Sequence, residues 1–191
     1  MSKQTKSTKI IPKSVDQKLA ELFEMSRTNQ RTFRSGALPY KHYNLLALLV
    51  YNLQPKKILE LGTGIGLTAI AMSLSCPDSV INSIDLGEQN QKIATTNAKN
   101  FGVNINFICA SFRDGLESLA NDYDLVFFDG FEANLSEFTM LESHLKIGGM
   151  MICANIWNNS EDNPCFIQMQ KSELYKNFFY FDDTAIAIRI G

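Results

Sequence analysis

The stretch Ile58-Leu59-Glu60-Leu61-Gly62-Thr63-Gly64-Ile65-Gly66-Leu67-Thr68 reads as a strand, a glycine-rich turn and the start of a helix. The apolar run predicts the strand, and glycines at every second position predict the turn. Glycine lacks a Cβ and accepts a positive φ, so the backbone of such a turn can approach a ligand closely. The N–H groups that begin the helix point at that ligand. The stretch therefore predicts a binding site at the end of a buried strand.

The residues after the glycines exclude two familiar ligand classes. A P-loop ends in Gly-Lys-Ser or Gly-Lys-Thr, whereas Gly66 is followed by Leu67 and Thr68. A dinucleotide fingerprint has its third glycine at the position that Leu67 occupies. The remaining pattern, E-x-G-x-G-x-G, begins with the acidic Glu60. A glycine-rich connection in some other α/β protein is the alternative at this point.

Length and composition predict one globular domain. The chain has 191 residues, of which 45% are hydrophobic, enough for a substantial core. Eighteen basic and twenty acidic side chains give a net charge of −2, which argues against a nucleic-acid partner. We expect no membrane partner, because no apolar run approaches the length of a membrane span. The first residues do not read as a signal peptide, and we expect a cytoplasmic protein because the cysteines read as buried, reduced thiols.

Cysteine and histidine usage narrows the possible chemistry. The four cysteines form no C-x-x-C pair, and we expect buried, reduced thiols. The chain has two histidines, His42 and His144. A zinc site or a Ser-His-Asp triad therefore has little to build from.

The N-terminal part is predicted to form a tail and two helices. Residues 1–13 are polar, carry four lysines and read as a flexible tail, with a nucleic-acid arm as the alternative. Two helices are predicted within 14–52, separated by a loop over 27–36. Pro39 is expected in the first turn of the second helix. These helices begin a single domain that extends over 14–191.

Strands and helices alternate after the second helix. The predicted strands are 58–61, 80–85, 104–109, 125–129 and 150–154, and the predicted helices are 66–75, 88–100, 113–120, 133–145 and 165–176. Such alternation predicts an α/β fold, a parallel sheet with helices on both faces. The end of the chain reads as a hairpin of 178–181 and 184–190, which adds an antiparallel strand.

Acidic or polar side chains stand where each predicted parallel strand ends, although the strand bodies are apolar. These side chains are Glu60, Asp85, Ser111, Asp129 and Asn155. In open parallel sheets, ligands bind beyond the carboxyl ends of the strands. The coincidence therefore predicts one site along that edge of the sheet.

The strand-end residues suggest separate roles. Asp85 can accept hydrogen bonds from both ribose hydroxyls of a nucleoside, with a helix cap or a turn as its alternative role. Ser111 and Phe112 offer a polar contact and an aromatic face to an adenine, although a local turn explains Ser111 equally well. Asp129 is expected to face the reacting centre, with capping of the next helix as the alternative.

Taken together, these residues resemble the class I S-adenosylmethionine (SAM) methyltransferases, and among them the catechol and caffeoyl-CoA type O-methyltransferases. The resemblance extends from about Gly36 to the end of the chain. It is carried by the glycine stretch, Ile84-Asp85, Ala110-Ser111, the run from Tyr123 to Asp129 and the run from Leu145 to Gly149. It implies a Rossmann-like, seven-stranded, mostly parallel sheet with an antiparallel last strand. It also implies that the two N-terminal helices help to cover the substrate site, and that the protein forms a homodimer.

The resemblance implies an enzyme that transfers the methyl group of SAM to an oxygen of a small molecule by in-line displacement. The implied cofactor-binding residues are Glu60, Gly62, Thr63, Gly64, Gly66, Thr68, Asp85, Leu86, Ala110, Ser111, Phe112 and Asp129. Within this set, we expect Glu60 and the glycines at the methionine end of the cofactor, and Asp129 near the methyl group.

Two departures from the family pattern concern the chemistry. Metal-dependent members carry an aspartate after the fourth strand and an Asp-Asn pair after the fifth, but here Ala154 precedes Asn155. Asp129 and Asn155 alone are a poor cage for Mg²⁺, which favours several charged oxygens. The family lysine three residues after the first aspartate is Glu132 here. A glutamate does not lower the pKa of a neighbouring hydroxyl as a cation does, but it can act as a base.

We therefore predict a metal-independent O-methyltransferase with Asp129 or Glu132 as the catalytic base. Asp129 and Asn155 are metal ligands only if a metal is bound, and Tyr40 and His42 are further candidates for the base. The main alternative is a non-catalytic SAM-binding or nucleoside-binding protein of the same fold. A methyltransferase that reaches a macromolecule through the lysine-rich tail is a third reading. Asp129-Gly130-Phe131 lacks the Asn-Pro-Pro-Tyr type of motif found in methyltransferases that modify bases.

Overall fold

The computed structural model describes residues 10–33, 40–129, 135–156 and 164–191. Within these ranges the helices are α1 (Lys13–Phe33), α2 (Tyr43–Leu53), α3 (Leu67–Ser75), α4 (Glu88–Phe101), α5 (Phe112–Glu117), α6 (Leu135–His144) and α7 (Pro164–Lys171). The strands are β1 (Lys57–Leu61), β2 (Val80–Asp85), β3 (Asn106–Cys109), β4 (Tyr123–Phe128), β5 (Leu145–Cys153), β6 (Tyr175–Phe181) and β7 (Thr184–Arg189).

The strands form one seven-stranded sheet in the order β3-β2-β1-β4-β5-β7-β6. Strands β1 to β5 pair in parallel, whereas β7 runs antiparallel to both of its neighbours, β5 and β6. The predicted fold class, a mostly parallel Rossmann-like sheet with an antiparallel last strand, is confirmed. The insertion of β7 between β5 and β6 is a feature that the sequence pattern does not specify.

Two hydrophobic cores cover the two faces of the sheet, because side chains alternate along each strand. Ile58 and Phe127 point to the face that α1, α2 and α3 cover. Leu59 and Phe128 point to the other face, under α5, α6 and α7. Both faces of β1 and β4 are therefore buried, which explains their continuous apolar runs and places their carboxyl ends in the middle of the sheet edge.

The N-terminal helices differ from the prediction at their ends. The helix α1 continues to Phe33, so the loop predicted from residue 27 is wrong in its first part. No proline or glycine interrupts Lys13–Phe33, and Leu19 and Leu22 fix the helix in the core. The helix α2 begins at Tyr43, after His42 as the cap residue, and not near Pro39. The predicted tail lies outside the described residues up to position 9, and its last residue, Lys13, begins α1.

Several later boundaries also move. The strand β5 begins at Leu145 rather than at residue 150, because the chain bulges against β4 with Gly148 at a φ of 83°. The helix α7 ends at Lys171, and Tyr175 already belongs to β6, where residues to 176 were predicted helical. Pairing of β6 with β7 outweighs the local helix preference there. The helix α5 ends at Glu117, short of the predicted residue 120.

No helix among the described residues is long and apolar enough to cross a membrane.

Candidate active site

The glycine turn joins β1 to α3 in a conformation that requires glycine. Gly62, Gly64 and Gly66 have φ values of 96°, 48° and 88°, in the left-handed region where other residues are strained. A Cβ on Gly66 would lie 3.0 Å from the Cβ of Ala94 on α4. The N–H of Gly62 donates to the carbonyl of Ile84 at 2.9 Å, which fixes the turn beside the end of β2. The predicted turn therefore lies at the carboxyl edge of the sheet.

Asp85, the last residue of β2, holds the glycine turn in place. Its Oδ2 accepts a hydrogen bond from the N–H of Gly64 at 2.8 Å, and its Oδ1 accepts one from the N–H of Gly87 at 2.7 Å. Each carboxylate oxygen keeps a second lone pair. Asp85 thus has the turn role that was one of its predicted alternatives, and it retains acceptor capacity for a ligand beside the turn. The cap residue of α4 is Gly87, not Asp85.

Beneath the turn, Glu60 is completely buried and bonded to hydroxyl groups. The hydroxyl of Thr68 donates to Glu60 Oε1, and the hydroxyl of Ser83 donates to Oε2 at 2.5 Å. The hydroxyl of Thr63 lies 2.6 Å from that of Ser83. Burial raises the pKa of Glu60 to about 7, against the lowering effect of the two hydroxyl donors, and the charge of Asp85 adds to the rise.

This buried network changes what three predicted site residues can do. The side chains of Glu60, Thr63 and Thr68 lie in the interior, so the structure does not place them on the open surface of the edge. They support the turn from below. Ser83 was not predicted; its one sequence signal is a small hydroxyl residue in the strand beside Glu60.

Asp129 follows β4 and lies at the centre of the edge. Its backbone N–H donates to the carbonyl of Leu61 at 2.8 Å, which keeps it next to the glycine turn. The side-chain amide of Asn155 donates to Asp129 Oδ1 at 2.6 Å. Burial raises the pKa of Asp129 to about 8, the charges of Glu60 and Asp183 add to this, and the Asn155 bond opposes it. The carboxyl group is therefore poised between its acid and base forms near neutral pH.

The ends of β4 and β5 do not fit a magnesium ion. Asn155 turns the donor nitrogen of its amide toward Asp129, and Ala154 offers no side-chain oxygen. Hard cations take carboxylate and carbonyl oxygens, several at a time. Among the described residues, the group of His, Cys, Asp or Glu side chains arranged like metal ligands does not include Asp129.

The residues predicted beside an adenine lie next to Asp85 across the sheet. The N–H of Ala110 donates to the carbonyl of Asp85 at 3.2 Å. Ser111 is the cap of α5, accepting from the N–H of Asp114 at 3.2 Å, so its local role is the one that the structure shows. Phe112 packs edge-on against Phe128, with ring centroids 5.8 Å apart. Leu86 is 72% exposed and contributes apolar surface to this side.

Tyr40 and His42, which precede α2, form a wall on the other side of Asp129. Tyr40 is buried against Phe127, with ring centroids 5.1 Å apart, and its hydroxyl lies 2.9 Å from that of Thr184. Burial raises the pKa of Tyr40 far above its ordinary value, so it is a neutral phenol and a poor base. His42 Nε2 lies 2.9 Å from Asp182 Oδ2 in the turn between β6 and β7.

Asp182 and Asp183 were not predicted as site residues. The sequence shows them as a plain Asp-Asp hairpin turn, a common surface feature. The insertion of β7 next to β5 brings this turn to the edge of the sheet, where the charge of Asp183 reaches Asp129. Glu132, the other predicted base, lies outside the described residues.

A large groove lies elsewhere in the described part of the chain. Its volume is about 940 Å³, and it lies at the opposite edge of the sheet, where Lys18 and Asp78 are its charged lining residues. Its lining does not include the glycine turn, Asp85 or Asp129, so we identify the candidate site by its chemistry and not by volume.

The sheet order, the glycine turn after β1 and the carboxylate after β2 together define the class of Rossmann-like methyltransferases. The O-methyltransferase family matches residues 11–178 of the chain, and the chain belongs to that family. This membership confirms the predicted class, an S-adenosylmethionine-dependent O-methyltransferase. It favours an enzyme over the non-catalytic alternative.

Individual relatives agree with the family. A caffeoyl-CoA O-methyltransferase of Stellaria longipes is 26% identical over 168 residues, which cover 82% of this chain and 68% of that protein. A putative caffeoyl-CoA O-methyltransferase structure from Staphylococcus aureus has a TM-score of 0.71 at 22% identity, over 87% of this chain and 91% of that one. The O-methyltransferase TomG from Streptomyces achromogenes, solved with SAM, has a TM-score of 0.69 at 18% identity, over 98% and 93%.

Proposed function

We propose that the protein methylates a hydroxyl oxygen of a small molecule, with SAM bound across the ends of β1 and β2 and without a metal ion. The observation that carries the proposal is the Asp129–Asn155 pair beside the glycine turn. It leaves a tunable carboxyl group at a position where the family resemblance implies a metal ligand. The names of the Stellaria longipes and Staphylococcus aureus relatives support a small acceptor of the caffeoyl-CoA type.

The residues along the carboxyl edge of the sheet offer a suitable contact to each part of SAM. The backbone of Gly62, Gly64 and Gly66 can approach its methionine end, and Asp85 can accept the ribose hydroxyls with its remaining lone pairs. The exposed Leu86 and the ring of Phe112 offer apolar contacts to the adenine. The sulfonium and the ammonium of SAM are cations, and the edge is lined by carboxyl groups whose field favours them.

The proposed reaction is an in-line displacement at the methyl group. The acceptor oxygen forms a bond to the methyl carbon while the carbon–sulfur bond breaks and its electron pair stays on sulfur. Asp129, as a carboxylate, takes the proton of the acceptor hydroxyl. A nearby sulfonium lowers the pKa of Asp129, so cofactor binding itself produces the base form. Asn155 keeps the carboxylate oriented by donating to Oδ1.

Glu132 is the second candidate for the catalytic base, beside Asp129, because it occupies the position of the family lysine. The variants Asp129→Asn and Glu132→Gln separate the two candidates, since each removes one proton acceptor and keeps the size of the side chain. The base is the residue whose variant loses turnover while keeping its affinity for SAM.

The direct test incubates the untagged protein with methyl-labelled SAM and a panel of catechols, other phenols and phenolic thioesters. Each acceptor is assayed with EDTA and with added Mg²⁺. Turnover that is equal in both conditions supports the proposal. Turnover that requires Mg²⁺ contradicts the metal-independent mechanism, and SAM binding without turnover across the panel contradicts the assignment of a small acceptor.

A further inference from the structure

A second cluster of ligand-type side chains lies beside the candidate active site. His42 Nε2, Asp182 Oδ2 and Asp183 Oδ1 lie within 4.8 Å of one another, and they come from the segment before α2 and the turn between β6 and β7. The nitrogen is 2.9 Å from the Asp182 oxygen and 3.8 Å from the Asp183 oxygen. Bonds of about 2.0–2.2 Å to one ion place ligand atoms roughly 3–3.5 Å apart, so shifts of under about 1 Å suffice.

The structure already holds a cation at this cluster. The ammonium of Lys41 lies 2.7 Å from Asp182 Oδ2 and 3.3 Å from Asp183 Oδ2. The two carboxylates carry two formal negative charges, and the ammonium of Lys41 supplies one positive charge. The Asp183 side chain is 6% exposed, and little water reaches it to compensate its negative charge. A divalent ion balances the cluster better than the lysine alone.

The three ligands are also held in position by neighbouring groups. The ring of His42 packs edge-on against Tyr40 and Phe181, with centroids 5.7 and 5.0 Å away. Asp183 Oδ1 accepts a hydrogen bond from the hydroxyl of Thr184 at 3.0 Å, and the Asp183 carbonyl accepts from the N–H of Ile156 at 2.9 Å. Such outer contacts orient metal ligands in proteins.

We propose that His42, Asp182 and Asp183 bind one first-row divalent transition-metal ion, such as Zn²⁺, at a site separate from the ends of β4 and β5. One imidazole and two carboxylates suit this class of ion better than Mg²⁺ or Ca²⁺. Three protein ligands leave a coordination position for water. The ion ties the start of α2 to the β6–β7 turn and so fixes the wall beside Asp129. The proposal does not depend on methyl transfer.

The other histidine cannot replace His42 as a ligand. The ring nitrogens of His144 lie 2.8 Å from the carbonyl oxygen of Met140 and 2.9 Å from that of Leu116, inside the core. A metal-induced change in a histidine NMR signal of this two-histidine chain therefore reports on His42.

The test uses the untagged, EDTA-stripped full chain, titrated with Zn²⁺ by calorimetry and with Co²⁺ by visible absorption. We expect one equivalent to bind, with a d–d spectrum typical of nitrogen and oxygen ligands. His42→Ala and Asp182→Asn should each weaken binding at least tenfold. Asparagine suits position 182, where φ is 55°, so that variant keeps the turn. His42 makes no side-chain cap bond to α2, so its loss spares the helix.

Three further variants make the outcome specific. Lys41→Gln should tighten binding severalfold, because the competing ammonium is removed. Asp78→Asn is the matched control, an exposed aspartate at the opposite edge of the sheet, and should change nothing. Asp129→Asn should keep the affinity. Absence of saturable binding at millimolar metal, binding that survives His42→Ala, or binding abolished by Asp129→Asn overturns the proposal.

Discussion

Asp85 and Gly64 lie in the half of the edge that is proposed to bind the cofactor (the cofactor half), and they are bonded to each other across 21 positions of sequence. In the half that is proposed to bind the methyl acceptor (the acceptor half), Tyr40 meets Thr184 across 144 positions, and His42 meets Asp182 across 140. The first half is built from consecutive strands and their turns. The second half needs the whole sheet, because β7 carries Thr184 into place only after it has inserted beside β5.

The two halves also differ in charge. Near the glycine turn, backbone N–H groups hold both carboxylate oxygens of Asp85. Around Asp129, burial raises the pKa of the carboxyl group, and the charges of Glu60 and Asp183 add to the rise. A local, neutralised half suits recognition of an invariant cofactor. The acceptor half is assembled from distant segments and carries excess negative charge, which suits proton transfer. Small changes in the surrounding loops can shift the pKa of its carboxyl groups.

The largest effect is expected in the acceptor half. Asp129→Asn removes the proposed base, so the turnover number should fall by about 10²–10⁴-fold. Affinity for SAM should change little, because the cofactor half is intact. Initial rates with labelled SAM and calorimetric binding measure the two quantities. If turnover persists in Asp129→Asn and is lost in Glu132→Gln, the base has been assigned to the wrong residue.

The buried carboxyl groups of Glu60 and Asp129 should make the free energy of unfolding depend on pH. Glu60 has a folded-state pKa of about 7, above its unfolded value, so the folded state holds a proton that the unfolded state releases. The contribution of Glu60 to the free energy of unfolding should therefore fall as pH rises from about 4.5 to about 7, by on the order of 3 kcal/mol. Urea unfolding at several pH values measures this.

Two variants show which carboxyl group causes the pH dependence of the free energy of unfolding. Glu60→Gln should flatten the decrease below about pH 7, and Asp129→Asn should flatten the part that extends to about pH 8. Glu117→Gln on the exposed end of α5 is the control and should leave the profile unchanged. A profile that rises with pH in the wild type contradicts the assignment of raised pKa values to these groups.

In the cofactor half, Asp85→Ala removes the acceptor for two backbone N–H groups and for the proposed ribose contacts. SAM affinity should fall by about 10–100-fold, which corresponds to one or two lost charge-assisted hydrogen bonds. Calorimetry measures the affinity, and circular dichroism checks that the variant remains folded. Asp78→Asn serves again as the control. Unchanged affinity in a folded Asp85→Ala variant argues against the ribose placement.

The smallest effect is expected within the glycine turn, as the difference in stability between two glycine variants. Gly66→Ala adds a Cβ at a φ of 88° and 3.0 Å from the Ala94 Cβ, so it combines strain with a clash. The free energy of unfolding should fall by roughly 2 kcal/mol or more. Gly102→Ala is a matched control, because its φ is 66° but no atom lies within 4 Å of the added Cβ. It should cost about 1 kcal/mol. Equal losses in the two variants indicate that packing of the turn on α4 is unimportant.

Much of the fold follows from local patterns. Apolar runs predicted the cores of β1, β2 and β4, and their polar ends at Asp85 and Asp129 were predicted to share one edge. Boundaries were wrong where pairing or packing outweighs local preference. At Tyr175, pairing with Arg189 makes a strand of residues that read as helix. At the end of α1, an uninterrupted helix replaces a polar stretch that read as a loop.

The site was predicted unevenly for the same reason. The three glycines and Asp85 lie within one strand-turn-helix-strand unit, so spacing alone indicated their proximity. Ser83, Asp182 and Asp183 carry no distinguishing pattern of their own. With two histidines in the chain, a metal site had little sequence support, yet His42 meets two aspartates in space.

The sequence by itself therefore determined the class of sheet, the glycine turn and the row of polar strand ends, because these depend on periodicity and on backbone conformations that only glycine adopts readily. Only the tertiary structure decided that Glu60 is buried under the turn, that Asn155 faces Asp129 with a donor, and that the β6–β7 turn reaches His42. Burial, amide orientation and contacts between distant segments arise from the closing of the whole sheet, and no short stretch of sequence encodes them.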